Sequence, residues 1–247
     1  MNILKHPSQG GCFFFTLILV KLYLRFMHKI SFLSLIFWAC FASAQIKDSL
    51  NYREDQFYID LNFSLQPNDI IGFKQNGFSR SVHVGMLRDY PISKLGDKAI
   101  AMGLGYGFVR LVNNINVEQS QQSYLYDVPE AQRALRNVFS YHQLQLPVEL
   151  RWRTSTPSEY AFWRVYLGYR LSYQFGTQYQ PFFGRKFSLE NQLNEIQHSI
   201  GISLGFNTWN LRLDYNLTPL FKEQIRTINN RELKLFPLQL GLIFYLL

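Results

Sequence analysis

Apolar and polar residues alternate one by one along much of this chain, most clearly over residues 141–175. Two alternating stretches are joined there by a short turn at residues 154–159, with a proline near its centre. Successive side chains of a strand point to opposite faces, so each stretch predicts one apolar and one polar face. The apolar faces are Leu144, Leu146, Val148, Leu150 and Trp152, then Trp163, Val165, Leu167, Tyr169, Leu171, Tyr173 and Phe175.

Both faces of this predicted hairpin are strongly marked. A soluble sandwich also alternates, but its charged face lies in water and its apolar face lies in a core. Here the apolar face is long and has a tryptophan at the turn end of each strand, while the opposite face carries Glu149, Arg151, Arg164 and Arg170. A wide apolar band, aromatic ends and a polar opposite face are typical of a transmembrane β-barrel with a polar interior.

Six further stretches show the same period of two, near residues 57–65, 78–88, 98–108, 200–206, 209–217 and 238–246. In the third of them, small residues from Ala99 to Gly107 occupy one face and leave room for large neighbours in a narrow barrel. The eight strands predict an all-β fold, an eight-stranded antiparallel transmembrane β-barrel that is closed and up-and-down. Pro147 removes a ladder donor inside a strand, which predicts a bulge at that position.

The connections between the predicted strands are alternately long and short. Barrels of this class have short periplasmic turns and longer extracellular loops, so we expect both termini to be periplasmic, in a bacterial outer membrane. Trp152, Trp163 and Trp209 then all fall at the periplasmic end, where an aromatic belt is expected. Their alternative role is that of ordinary core tryptophans in a soluble sandwich.

The first 44 residues predict an export leader. A basic start at Met27 precedes an apolar run and an Ala-Ser-Ala sequence that ends at Ala44, the pattern of a signal peptide cleaved before Gln45. We expect the true start at Met27, residues 1–44 as the leader and residues 45–247 as the outer-membrane barrel. A longer leader or an uncleaved helical anchor is the alternative.

The charge balance of the chain argues against a nucleic-acid partner. The chain has 25 basic and 17 acidic residues, a net charge of +8. Four of the basic residues lie in the leader, which leaves 21 basic and 17 acidic residues, or +4, and a nucleic-acid footprint needs clustered basic residues. Aromatic residues make up 17% of a chain whose mean hydropathy is only −0.10, as expected where every second residue meets lipid.

Charged residues recur on the faces that are predicted to point inward. An eight-stranded barrel is filled by its own side chains and buried charges must be paired, so these residues predict a structural ion-pair network that plugs the lumen. The alternative is a small gated path or a site for the tail of a partner. The predicted lumen-facing charged network is Asp60, Glu149, Arg151, Arg164, Arg170, Arg212 and Asp214.

Groups that could catalyse a reaction near the outer rim or in a long loop are His142, His198, Ser199, Asp127 and Glu130. Their spacing matches no mechanistic motif, so we expect no catalytic residues. The three histidines of the exported part are far apart, and both cysteines (Cys12 and Cys40) lie in the leader. We therefore expect no metal site and no cofactor.

One segment carries a more specific resemblance. It is Leu-Gln-Leu-Pro-Val-Glu-Leu-Arg-Trp-Arg (residues 144–153), a Thr-Ser-Thr-Pro turn, and Phe-Trp-Arg-Val-Tyr-Leu-Gly-Tyr-Arg (residues 162–170). This segment resembles the PorT family, outer-membrane β-barrels of Bacteroidota associated with type IX secretion and gliding motility. The resemblance implies an accessory protein for the export of cargo, whose partners are outer-membrane lipid and other secretion-system proteins.

Two other functions stay open. A generic small barrel could bind a ligand or a surface protein through its long loops at residues 113–137 and 176–195. A small barrel enzyme is the third hypothesis. A narrow, filled barrel cannot itself pass folded cargo, which favours a supporting or assembly role over that of a conduit.

Overall fold

The alternating stretches fold into long antiparallel strands. In this computed structural model the described residues are 55–93, 97–120, 123–129, 135–154, 163–189, 191–206 and 209–246. The expected leader, most of the proline turn and the tight turn at residues 207–208 lie outside them. The strands are β1 (Asp55–Leu65), β2 (Arg80–Pro91), β3 (Lys98–Asn113), β4 (Asn116–Gln119), β5 (Tyr124–Asp127), β6 (Asn137–Arg153), β7 (Trp163–Gln180), β8 (Phe187–Ser188), β9 (Ile196–Phe206), β10 (Trp209–Asn216) and β11 (Leu238–Leu246).

Eight of these strands form one closed ring, in the order β1, β2, β3, β6, β7, β9, β10 and β11. Every neighbouring pair is antiparallel, and β11 returns to β1 with Leu238 opposite Leu65 and Leu246 opposite Phe57. Closure leaves the ring without an unpaired edge. The predicted closed, up-and-down, eight-stranded barrel is confirmed.

The predicted apolar faces point out of the barrel. Leu104 is 69% exposed, and Leu167 and Leu211 are each 52% exposed. A continuous apolar exterior of this extent is the surface that hydrocarbon solvates, and closure of the ring lets neighbouring strands satisfy each other's backbone hydrogen bonds. Among the helices of the described residues, none is long and apolar enough to cross a membrane.

The connections fall into two sets at opposite ends of the barrel. The long ones are residues 66–79, 114–136, 181–195 and 217–237. The short ones are residues 92–97, 154–162 and 207–208. We call these ends the loop end and the short-turn end. Asp55 and Leu246, where β1 begins and β11 ends, both lie at the short-turn end.

Among the described strand pairs the register shifts at one place, in β7 near the loop end. Ser140 of β6 pairs with Gln178, whereas His142 pairs with Phe175, so two residues of β7 lie opposite Tyr141. One of the two is Gly176, whose φ of 62° is a left-handed value that glycine adopts without strain. The extra residue reverses the faces of β7 beyond it, so that the odd-numbered Tyr179 points inward and is buried.

Pro147 does not cause the predicted bulge. On one side of β6 it lies opposite Arg170 in regular register with β7. On the other side the pairs Met102–Val148 and Gly105–Gln145 enclose two unpaired positions with no change of register. The missing donor of the proline is therefore accommodated by a local gap in the ladder.

Two strand boundaries also differ from the pattern. The alternation predicts the second strand at residues 78–88, whereas β2 runs from Arg80 to Pro91. This shift places Asp89 on the inner face, where it is buried. The loop predicted at residues 113–137 contains a small hairpin of β4 and β5, in which Asn116 pairs with Asp127.

Candidate functional site: the lumen and its cap

Inward side chains change in character along each strand, from the short-turn end to the loop end. On β6, for example, Arg153, Arg151 and Glu149 are followed by Gln145 and Gln143, all buried, and then by apolar side chains. On β10, Arg212 and Asp214 precede Asn216 in the same direction. The interior thus consists of a charged layer, a neutral polar layer and an apolar layer.

Glu149 is the centre of the charged layer. Its carboxylate accepts hydrogen bonds from Arg212 Nη1 at 2.6 Å and from Arg151 Nη2 at 2.8 Å. The hydroxyl of Tyr245 donates to the same carboxylate at 3.2 Å. Arg212 also donates through Nε to Asp214 at 2.7 Å. Three strands, β6, β10 and β11, are thereby joined across the lumen.

The network continues from Asp214 toward β1 and β2. Arg170 Nη2 lies 3.5 Å from the Asp214 carboxylate and 3.3 Å from that of Asp60. His83 Nδ1 lies 3.2 Å from Asp60 Oδ2 and 2.9 Å from Arg170 Nη1. This cluster joins strands that are far apart in the chain.

At the short-turn end the network closes on Asp89. Arg151 Nη1 donates to one oxygen of Asp89 and also to Gln56 Oε1 at 3.0 Å. Arg153 Nη1 donates to the other oxygen of Asp89 at 2.8 Å. The guanidinium of Arg151 lies over the rings of Tyr166 and Tyr245, 4.8 and 5.0 Å from their centroids. Aromatic faces attract cations, so these rings add to its stabilisation.

The buried charges are balanced in the described part of the lumen. The carboxylates are Asp60, Asp89, Glu149 and Asp214, and the guanidinium groups are Arg151, Arg153, Arg170 and Arg212. None of these side chains is more than 4% exposed. Burying an unpaired ion would cost several kcal/mol, about 3–5 kcal/mol when one partner of a pair is lost, so a neutral sum is a condition of stability.

Six of the seven residues in the predicted network lie together in this layer, whereas Arg164 is half-buried near the short-turn end. Asp89 is not among the predicted members, because the predicted strand ends one residue before it. Arg153 and His83 are not among the predicted members either. Arg153 and His83 alternate in sequence with the outward residues of β6 and β2, and this alternation could have indicated that both point inward.

Small residues make the space that these large groups need. A Cβ atom at Gly105 would lie against the hydroxyl of Tyr58, and one at Gly201 would lie against the carboxylate of Asp214. At Gly168 the nearest atom would be Arg212 Nη2, at 3.0 Å. The glycines of the inner face are therefore complementary in size to the charged and aromatic side chains opposite them.

An apolar cluster, which we call the cap, fills the interior at the loop end. Phe221 packs edge to face on Phe139 and on Tyr126, with centroid distances of 5.6 and 5.7 Å. The buried members of the cap come from strand ends and from loops alike: Val109, Leu111, Ile115, Val117, Tyr126, Val128, Phe139, Tyr141, Tyr179, Leu189, Leu193, Leu220, Phe221, Leu233 and Leu235. The cap is a small hydrophobic core of the kind found in soluble domains.

Tyrosine hydroxyls fix the β4–β5 hairpin to this cap. Tyr179 accepts a hydrogen bond from the backbone N–H of Val117 at 3.0 Å and donates to the carbonyl of Ile115 at 3.2 Å. The hydroxyl of Tyr126 donates to Gln192 Oε1 at 3.1 Å. Burial raises the pKa of Tyr126 well above its usual value, with smaller contributions from Tyr124 and Tyr179. This tyrosine therefore stays neutral in the cap.

Two adjoining clefts open between the loops of the loop end. The larger has a volume of about 670 Å³ and lies between residues 67–71 and residues 231–236. The smaller, about 330 Å³, shares Ile70, Ile71 and Arg231 with it. Lys234 donates to Glu232 at 2.7 Å on the rim, and this hydrogen bond lowers the pKa of Glu232 and raises that of Lys234.

The three predicted belt tryptophans are outward and lie at the short-turn end. Trp152 is 50% exposed, and Trp163 and Trp209 are each 63% exposed. The ring of Trp163 lies 5.1 Å from that of Phe206, and the ring of Trp209 lies 5.3 Å from that of Phe244. Their exposure is that of an aromatic border around an apolar exterior, not that of a soluble core.

The groups considered for catalysis are dispersed. His142 and His198 point outward, with Nδ1 atoms 2.5 and 2.6 Å from the hydroxyls of Tyr106 and Tyr169. Ser199 points inward and donates to the carbonyl of Arg170. Asp127 lies in β5, and Glu130 is outside the described residues. In the described ranges no three His, Cys, Asp or Glu side chains form a group that could hold a metal ion.

A closed eight-stranded ring with an apolar exterior and an ionic interior defines a membrane-spanning β-barrel. The chain belongs to the family described as outer membrane protein beta-barrel domain, which matches residues 43–222. It is thus a β-barrel of the bacterial outer membrane, associated with lipid.

Among solved structures, the chain is similar to the outer membrane protein Ail of Yersinia pestis in a phospholipid bilayer nanodisc. The TM-score is 0.33 and the sequence identity 13%, over 78% of this chain and 99% of that chain. No curated protein matches the chain.

Proposed function

We propose that this protein is a non-enzymatic outer-membrane barrel that supports protein secretion, as a PorT-like accessory of type IX export. It acts as an anchored scaffold rather than as a conduit. Its loop end faces the outside of the cell, and its short-turn end, with both termini, faces the periplasm. Other secretion-system proteins are its partners, and a signal peptide within residues 1–44 directs its export.

The filled interior is the single observation that carries this proposal. Arg151, Glu149 and Arg212 bridge the lumen at the level of the apolar band, and Phe221 and its neighbours close it again at the loop end. A cargo protein could pass only if both layers were dismantled. The barrel is consequently suited to holding or assembling other components.

The segment that resembles the PorT family supports the secretion role. That segment supplies Glu149, Arg151 and Arg170 to the ion network and Trp152 and Trp163 to the short-turn end. The shared residues are therefore those that plug and border this barrel. They are consistent with a family of filled scaffolds and assign no catalytic group.

Short turns on the periplasmic side and long loops on the outer side are the usual arrangement of bacterial barrels, which supports the proposed orientation. A protease added to intact cells tests it. Cleavage within the loop at residues 222–231, with an intact short-turn end, is expected. Cleavage confined to the short-turn end would reverse the orientation.

Gene deletion tests the secretion role. We expect the deletion strain to retain exported cargo and the unaltered gene to restore its appearance in the culture medium. Heat-modifiability gels should confirm folded barrel in the complemented strain. Normal secretion in the deletion strain would exclude the role.

A second candidate function is the binding of a ligand or surface protein by the loops. The adjoining clefts of about 670 and 330 Å³ favour it, since Ile71 and Ile228 are about 60% exposed on their walls. Replacing residues 67–71 by a Gly-Ser linker should then abolish binding at the cell surface and leave secretion unchanged. Loss of secretion in that variant would instead connect the clefts to export.

A further inference from the structure

Two arginines face each other on the outside of the barrel, at the loop-end border of the apolar band. Arg80 begins β2 and lies opposite Arg110 of β3 in the antiparallel ladder. Both are on the outward face, because they continue the rows of Val82 and Phe108. Arg80 is exposed and Arg110 is half-buried. Directly opposite residues of a ladder have Cβ atoms about 4.5–5.5 Å apart.

No carboxylate in the described part of the chain pairs with either arginine. Like charges directly opposite each other destabilise a sheet, so this arrangement favours an anion between them. The other end of β2 shows the contrast. There the outward Arg88 lies opposite Asp55, with 3.6 Å between Nε and the carboxylate.

The position of the pair matches the depth of lipid headgroups. Between Arg80 and Arg88 the outward residues of β2 with large side chains are Val82, Val84 and Met86. Eight residues of strand span about 26 Å along the strand, or about 20 Å along the axis of a barrel whose strands tilt by about 40°, comparable to the height of about 25 Å for the apolar band of such barrels. Arg80 therefore lies where hydrocarbon gives way to the polar part of the bilayer. Phe63 lies beside it on β1.

We propose that Arg80 and Arg110 form a binding site for the phosphate of an anionic membrane lipid. A guanidinium group presents two parallel N–H donors to phosphate oxygens, and two such groups on adjacent strands can hold one phosphate together. Apolar side chains below the pair, such as Val82 and Phe108, contact the acyl chains of the same lipid. The bound phosphate removes the repulsion between the arginines. This site is independent of the secretion role and of the orientation of the barrel.

The test uses the processed protein, purified from outer membranes and placed in nanodiscs of phosphatidylcholine with or without phosphatidic acid. Native mass spectrometry counts retained phosphatidic acid, and circular dichroism follows thermal unfolding. We expect phosphatidic acid to bind and to raise the melting temperature. Arg80→Gln and Arg110→Gln should each weaken binding about tenfold, the effect of losing a charge-assisted hydrogen bond. Arg88→Gln is the matched control on the same strand and should bind normally.

In pure phosphatidylcholine we expect the opposite effect of the substitution on the melting temperature. There Arg110→Gln removes a like-charge contact, so its melting temperature should equal or exceed that of the unaltered protein. A lower melting temperature in both lipids would show a structural role and overturn the proposal. Equal phosphatidic acid binding by Arg80→Gln/Arg110→Gln would do the same.

Two further lipid and ion conditions identify what is bound. Stabilisation by oleate equal to that by phosphatidic acid would reduce the site to a general attraction for negative charge. Stabilisation by inorganic phosphate in pure phosphatidylcholine, at the level reached with phosphatidic acid, would assign the site to a free anion. We expect neither oleate nor inorganic phosphate to reproduce the effect of phosphatidic acid.

Discussion

The interior of this barrel has opposite chemistry at its two ends. Within the apolar band, Glu149, Arg151 and Arg212 fill the lumen with paired ions, while leucines cover the outside. In the cap, Phe139 and Phe221 fill the same space with apolar contacts. The inner face is continuous between them. The comparison teaches that the surroundings of the wall, hydrocarbon or water, decide which face is apolar.

The two regions are also stabilised differently. Buried ions gain little over a hydrophobic filling, but removing one partner leaves an uncompensated charge. Apolar contacts in the cap contribute roughly in proportion to the area they bury, at about 25 cal/mol per Å². We therefore expect the charged layer to lose its structure cooperatively and the cap to unfold locally.

Breaking the ion network is expected to have the largest effect. Glu149→Leu leaves Arg212 and Arg151 without their shared carboxylate and should lower the free energy of unfolding by about 3–5 kcal/mol. Denaturant unfolding in detergent micelles measures this. Glu149→Leu/Arg212→Leu should recover part of the loss, because Asp214 retains Arg170.

The control for this experiment is Arg88→Leu, which removes an exposed ion pair of the outer surface. Exposed pairs contribute only about 0–1 kcal/mol, so Arg88→Leu should have little effect. Equal losses in Glu149→Leu and Arg88→Leu would contradict the view of the lumen as a single connected network.

Truncation in the cap is expected to have an intermediate and local effect. Phe221→Ala removes two edge-to-face contacts and a fully buried ring. It should lower stability by about 3 kcal/mol, with the destabilisation confined to the loop end. Hydrogen exchange should quicken at Asn194, whose N–H donates to the carbonyl of Leu220, but not at Gly168 inside the band. Phe183→Ala, at a side chain that is 80% exposed, is the control. Faster exchange throughout the barrel would mean that the cap and the network are one cooperative unit.

The smallest effect concerns one hydroxyl of the cap at high pH. Tyrosine ordinarily has a pKa of 10.0, and burial raises the pKa of Tyr126 in the folded protein. The resulting stability is fully present below pH 10 and is lost as pH rises from there toward the raised value. Tyr126→Phe should lose about 1 kcal/mol of stability at neutral pH, with the hydrogen bond to Gln192, and its stability should decline less at alkaline pH.

Ultraviolet difference absorbance between the unaltered protein and Tyr126→Phe reports the phenolate of Tyr126 directly. It should appear only well above pH 10. A phenolate signal that titrates at the ordinary value would show that Tyr126 is exposed to water and that the cap is open.

Alternation was sufficient to predict which side chains of the band face lipid and which face the lumen. Asp60 and Asp214 follow inward parity, and both are almost fully buried. The ion pairs that they form could not be predicted from the sequence, because the partners depend on how the strands are staggered around the ring. Glu149 and Arg212, for instance, are 63 residues apart in sequence.

The cap could not be predicted for a different reason. Leu220, Leu233 and Leu235 lie in one connection, and nothing in their local sequence indicates that they pack against side chains of other elements. The reversal at Gly176 was equally hidden, because a glycine at the start of a loop is common. Only the register with β6 shows that it inserts a residue into the strand.

That inserted residue separates two parts of β7 in which the alternation of inward and outward side chains is opposite. Up to Phe175 every odd number on β7 belongs to the membrane, and after Gly176 the odd-numbered Tyr179 belongs to the protein interior. Deleting one residue here would turn a buried phenol toward the outside and detach the hairpin it anchors. A single inserted residue thus marks the point at which the apolar side chains of this strand change from the lipid-facing side to the interior.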